Sequence, residues 1–182
     1  ETPLDLANTE ILAANAYLGA QPIADAFALD PHIVVTGRVT DSALALGPLM
    51  QHFGWAAVEW DKMATGGLAG HLLECGSQVT GGYHADPGRK DVSGLANVGF
   101  PIAEVEEDGA IVVTKPEGTG GVVNTRTVKE QILYELDDPT HYLTPDATLD
   151  ISDVKVEQIG TDRVRVTGAK GRTAPETLKV TI

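Results

Sequence analysis

The side chains with most chemistry to offer gather between Gly66 and Gly88: His71, Glu74, Cys75, Gln78, His84 and Asp86. From about Gly67 to Gln78 the residues Leu68, Leu72, Cys75 and Val79 recur at the spacing of one buried helical stripe. His71, Glu74 and Gln78 run along one edge of that stripe, three and four apart, where side chains meet. A carboxylate beside an imidazole fixes its tautomer, so His71 and Glu74 form the candidate catalytic acid–base pair. Two readings stand for His71: a core-edge histidine satisfied by Glu74, or part of a polar edge lining a pocket. His71 and Cys75, four apart, also present one metal-binding face. Two ligands fall short of a site, and His84 with Asp86 would have to fold back to complete it, so no metal is assigned. Cys75 lies on the apolar stripe and reads as a buried, inert thiol. No His-Glu-x-x-His, Cys-x-x-Cys or Gly-x-Ser-x-Gly pattern is present.

The elements that must position these groups alternate along the chain. Thr9–Asn15 reads as a strand in preference to a helix. Pro22 opens a helix running to about Leu29, which Asp30-Pro31 stops. His32–Thr36 is a short β-branched apolar run, the mark of a buried parallel strand. Asp41 or Ser42 caps the next helix, which extends to about Phe53 and carries Pro48 as a kink. These segments predict a βαβ unit and an α/β fold: a mostly parallel Rossmann-like sheet with flanking helices. In such sheets ligands bind beyond the carboxyl ends of the strands. Asn15 and Tyr17 then follow one strand, and Gly37, Arg38 and Asp41 follow its neighbour. Arg38 becomes a candidate for gripping an anion, against the alternative of a turn-shaping Arg38–Asp41 ion pair.

The rest of the chain turns antiparallel. Phe100–Val105 and Ala110–Thr114 flank Glu106-Glu107-Asp108-Gly109, a strong hairpin signal. Lys115 then leads a Gly-rich stretch (Gly118, Gly120, Gly121, Asn124) into a helix from about Thr125 to Leu136. Such a loop offers free N–H groups and the helix dipole to an anion, with Lys115 adding charge. The competing reading is a plain β-to-α connection. Asn124 caps that helix as well as the Thr127/Glu130 spacing does. Val154–Ile159 and Arg163–Thr167 make a second hairpin, with Leu178–Ile182 as a third strand. Residues 100–182 are thus expected to be a β-rich subregion of one α/β domain segment, 1–182.

Composition narrows the function. The net charge of −13 over 182 residues argues against nucleic-acid binding. No apolar run reaches membrane-spanning length. A single cysteine forms no internal disulfide, and a reducing, cytoplasmic setting is expected. The chain opens at Glu1 and ends on an apparent strand, so an internal segment of a longer protein is expected.

Several blocks carry a family resemblance: Ala14–Ala20, Val35–Asp41, Gly70–Gly76, Gly99–Glu104, Thr114–Pro116 with Gly120-Gly121, and Lys129–Glu135. In this order they resemble the acyclic terpene utilisation (AtuA) family over nearly the whole chain. The resemblance implies bacterial catabolism of acyclic terpenoids through acyl-CoA intermediates, alongside biotin-dependent carboxylases. It supplies no catalytic residues. Three functions follow. The first is hydratase- or lyase-type chemistry on a branched acyl-CoA or related carboxylate, with a CoA thioester as substrate. The second is a non-catalytic subunit or scaffold of an acyl-CoA carboxylase-type complex. The third is a domain that binds a terpenoid without chemistry. The remainder of a longer chain, carboxylase subunits and a homo-oligomer are the expected partners. The site residues, if they act together, should line one concavity at the carboxyl edge of the sheet.

Overall fold

The computed structural model describes residues 10–182; Thr9, where the first expected strand begins, lies outside them. Among the described residues, four α-helices and three antiparallel sheets make up the fold. The helices are α1 (Gln21–Phe27), α2 (Ala43–Phe53), α3 (Trp60–Glu74) and α4 (Thr125–Leu133). The largest sheet joins β2 (Ile102–Val105), β3 (Ile111–Thr114), β6 (Lys155–Gly160) and β7 (Arg163–Thr167) in the order β2-β3-β7-β6. A second holds β4 (Tyr142–Leu143), β5 (Thr148–Asp150) and β8 (Lys170–Arg172). The third pairs β1 (Asn15–Ala16) with β9 (Val180–Thr181).

The expected parallel Rossmann-like sheet is therefore wrong: the protein is α+β, with every sheet antiparallel. A trace of the βαβ idea survives in one parallel bridge, Leu18 to Val39, closed by Leu18 N–H to Arg38 carbonyl (3.3 Å) and Thr40 N–H to Leu18 carbonyl (2.9 Å). His32–Thr36 is not a strand. Ile33 and Val35 are 81% and 88% exposed, and the segment makes no backbone hydrogen bond among the described residues. An apolar β-branched run shows that a strand is possible; it does not name a neighbour. Leu178–Ile182 also errs, because Val180 and Thr181 pair with β1 and do not extend the second hairpin.

Both hairpins form where the turn chemistry placed them. Gly109 sits at φ +90°, closing β2 onto β3 through its N–H to the Glu106 carbonyl (3.0 Å). Asp162 occupies the turn between β6 and β7 at φ +51°, a conformation a short polar side chain tolerates. All four residues of β3 are buried, so this strand forms the floor of the core.

The centre of the molecule is α3. Every residue from Met63 to Leu72 is buried, as expected of a helix packed on most of its sides. Leu68 and Leu72 face the interior as the spacing predicts, and each contributes roughly 1.5–3 kcal/mol by burial. The helix starts earlier and ends sooner than expected: Gln78 falls in a following 3₁₀ turn, Gly76–Gln78. Gly70 lets α2 come close. A β-carbon there would lie 2.5 Å from the Cα and carbonyl oxygen of Ser42, nearer than packed atoms tolerate.

Candidate functional site

The turns that follow α3 carry His84 back over α4. Gly81 N–H bonds the Gln78 carbonyl (3.1 Å), Gly82 N–H the Ser77 carbonyl (2.9 Å), and Ala85 N–H the Gly81 carbonyl (3.1 Å). A second tight turn, with Asp86 and Lys90 exchanging backbone bonds of 3.0 and 2.7 Å, then places Lys90. Helix α4 is held by a full capping box: Asn124 Oδ1 accepts from the N–H groups of Arg126 (2.8 Å) and Thr127 (3.1 Å), and Thr127 Oγ1 accepts from Asn124 N–H (3.1 Å). It buries Thr127, Val128, Gln131 and Ile132 and presents Glu130 at its flank.

There His84 and Glu130 meet. Nδ1 of His84 donates to Glu130 Oε2 at 2.7 Å, and Lys90 Nζ donates to Glu130 Oε1 at 2.7 Å. Burial alone would raise the Glu130 carboxyl, but the bonds from Lys90 and His84 outweigh it and hold its pKa below the ordinary value. His84 is 7% exposed. Among the described residues its Nε2 has no hydrogen-bond partner, yet it is not sealed from solvent. His84 lines a concavity of about 610 Å³, shared with Arg89, Lys90, Asp91, Asn124, Arg126 and Asp162. A carboxylate holding Nδ1–H leaves Nε2 as the free lone pair, which is how an imidazole serves as a general base.

The His71–Glu74 pair is placed differently. His71 is 2% exposed. Its Nε2 lies 3.2 Å from the Ile132 carbonyl. Its Nδ1 lies 3.0 Å from Glu74 Oε1, close enough for an ion pair but outside hydrogen-bond alignment. Neither residue lines the concavities at His84, Arg38 or Lys115. Burial raises the Cys75 thiol above its ordinary value, Gln131 opposes this, and the carboxylates of Glu74, Glu135 and Asp41 add to the rise. That environment disfavours a thiolate.

The remaining expected residues divide among separate concavities. Asn15, Gly37, Arg38 and Asp41 line one of about 450 Å³. Arg38 Nη1 stands 3.7 Å from Asp41 Oδ1, and its guanidinium lies 5.0 Å from the centre of the Tyr17 ring. Lys115 and Gly118 line another of about 520 Å³, but the ammonium is engaged by Thr119 carbonyl (2.8 Å) and Asp162 (3.2 Å). Only Gly121 and Asn124 reach the concavity of His84. The Gly120–Val122 part of the loop has spent its donors: the N–H groups of Gly120, Gly121 and Val122 bond the carbonyls of Asn97, Ser93 and Thr80, each at 2.8 Å. Val123 N–H bonds Asp162 Oδ1 at 2.8 Å. An anion would have to displace these bonds. The expected single concavity at a carboxyl sheet edge has no parallel sheet to form on. His71 and Cys75 are likewise not joined by His84 and Asp86: among the described residues no three His, Cys, Asp or Glu side chains are grouped to hold a metal.

Sequence reasoning passed over Glu130, Lys90, Arg89 and Arg126. Glu130 stands far from His84 along the chain, and no spacing rule links them. The adjacent Arg89-Lys90 in so acidic a chain was the one available signal.

Fold and site together define an α+β protein with a carboxylate-held histidine opening on a basic-rimmed concavity. Among the described residues no helix is long and apolar enough to cross a membrane. The family model described as acyclic terpene utilisation family protein AtuA matches residues 1–182, and the chain belongs to that family. Membership supports a role in acyclic terpene utilisation. Neither the curated proteins nor the solved structures yield a match.

Proposed function

We propose that this protein carries out acid–base chemistry of the hydratase or lyase type on an acyclic terpenoid acyl compound, with a CoA thioester as the substrate form, and that His84 is its base. The observation that carries this reading is the 2.7 Å bond from His84 Nδ1 to Glu130, in a residue that lines a concavity. Addition or removal of water beside a carbonyl needs one group that takes a proton and returns it. Nε2 takes the proton, and the imidazolium so formed is stabilised by the adjacent carboxylate. Lys90 keeps that carboxylate ionised. The test is incubation with branched acyl-CoA thioesters and the corresponding free acids, followed by mass spectrometry. Gain or loss of water, or cleavage, that disappears in His84→Ala supports the reading. Turnover that persists in His84→Ala removes it.

The scaffold reading draws on a different observation. The segment containing Ile33 and Val35 has exposed apolar side chains and an unpaired backbone among the described residues, a surface suited to another polypeptide. Co-purification with a biotin-dependent carboxylase, without turnover of any acyl-CoA, would favour it.

A further inference from the structure

The chain has a net charge of −13, yet three cationic side chains, Arg89, Lys90 and Arg126, line the concavity that His84 enters. They come from two separate stretches, the Asp86–Lys90 turn and the first turn of α4. Asp91 and Asp162 line the same concavity, and each carboxylate around it has a hydrogen-bond or ion-pair partner. Glu130 is held by His84 and Lys90. Asp162 accepts from Val123 N–H and pairs with Lys115. Asp91 accepts from Gly88 N–H at 2.8 Å, and Asp86 stands 3.9 Å from Arg89. Arg126 has no carboxylate within ion-pair reach among the described residues. With the N–H groups of Gly120, Gly121 and Val122 engaged, recognition here draws on side chains.

We infer that this concavity binds a multiply charged oxyanion of the phosphate type, gripped by Arg126 and Arg89, with Lys90 adding charge and His84 Nε2 beside it. A guanidinium presents two parallel N–H donors matched to two oxygens of such a group. Three cationic side chains in one concavity suit a dianion better than a single carboxylate. A volume of about 610 Å³ also admits the molecule to which the group is attached. The inference rests on reading this concavity as the working site and supplies the handle by which a substrate is held. Free phosphate and a phosphate ester share the chemistry, and the experiment separates them.

Inorganic phosphate, phenyl phosphate and acetate are titrated into the protein by calorimetry at low salt. Both phosphates should bind, with acetate at least about tenfold weaker, and affinity should fall as salt is added. Phenyl phosphate binding more tightly than inorganic phosphate assigns the site to an ester; the reverse assigns it to the free ion. Arg126→Gln should weaken phosphate binding about tenfold or more, and the double variant with Arg89→Gln should remove it, both with an unchanged circular dichroism spectrum. Absence of phosphate binding, acetate binding as tightly as phosphate, or binding that survives in the double variant overturns the inference. Phosphate binding without turnover of any acyl compound leaves the anion site standing and counts against the acid–base reading. Turnover without phosphate binding does the opposite.

Discussion

Gln131 donates its side-chain N–H to the main-chain carbonyl of His71 at 2.8 Å, while His71 Nε2 lies 3.2 Å from the carbonyl of Ile132, the residue next to Gln131. The two contacts tie α3 to α4 from both sides, in a region where His71 is 2% and Gln131 0% exposed. A histidine so used is a cross-brace between helices.

His71→Ala should therefore act on stability. Removing the ring leaves a core cavity and an unsatisfied Ile132 carbonyl, a loss of roughly 2–4 kcal/mol. A urea titration checks it. Activity per folded molecule should be largely kept. An unchanged midpoint with abolished turnover would return His71 to the catalytic role expected from its spacing to Glu74.

His84→Ala should behave in the opposite way. Turnover should fall by about 10²–10⁴-fold, the range for loss of a general base. Glu130→Gln keeps the shape but loses the charge that supports the imidazolium, and should lower turnover by a smaller factor. The ratio of the two losses, measured on one substrate, checks that Glu130 works through His84.

Acid should loosen the Glu130 contact. Its pKa lies below the ordinary 4.5 in the folded state, so its stabilisation is present above that value and is lost as pH falls through the folded value. Melting temperatures measured between pH 5 and 3, as rough bounds around the carboxylate range, should fall less steeply in Glu130→Gln than in the parent.

Asp146 should show the reverse sign. Burial raises its carboxyl above the ordinary 3.8, against the hydrogen bond from Ala20 N–H, which measures 2.7 Å to Oδ1. The folded state then binds the proton more tightly than the unfolded chain. Stability is greatest below the ordinary value and declines as pH rises through the folded one. Asp146→Asn keeps an acceptor for Ala20 and removes the buried charge. Its stability should stay level over the pH range where the parent declines, as denaturant midpoints across that range would reveal.

Gly120→Ala should disturb the loop beside the site. A β-carbon there would come within 1.9 Å of the Gly94 carbonyl oxygen, and both partners are backbone, with little room to move. A cost of at least about 1–3 kcal/mol is expected, together with weaker anion binding in the concavity that Gly121 lines. An unaltered melting curve would show that the two loops are not interlocked as described.

The sequence made local features legible and long-range ones not. Asp108-Gly109 and Thr161-Asp162 announced their hairpins because turn geometry is written in the turn residues themselves. Asn124 announced α4 for the same reason. His32–Thr36 misled, since a β-branched run looks alike whether it is paired in a sheet or left at the surface. Asn15 and Thr181 pair across nearly the whole chain, which no local pattern encodes. The Gly-rich loop was visible, but the carbonyls of Ser93, Asn97 and Thr80 that occupy its donors were not. His84 was noticed only as a spare metal ligand, because Glu130 comes to it through the packing of α4.

The stretch from His32 to Thr36, unpaired among the described residues, has a colloidal consequence. A β-branched segment with exposed apolar side chains is a template on which a second molecule can add a strand, and then a third. At neutral pH the net charge of −13 opposes such stacking through mutual repulsion. Near the isoelectric point, about 4.6, that repulsion vanishes. Mild acidification should therefore turn concentrated solutions cloudy while the domain is still folded, and a lysine in place of Val35 should keep them clear.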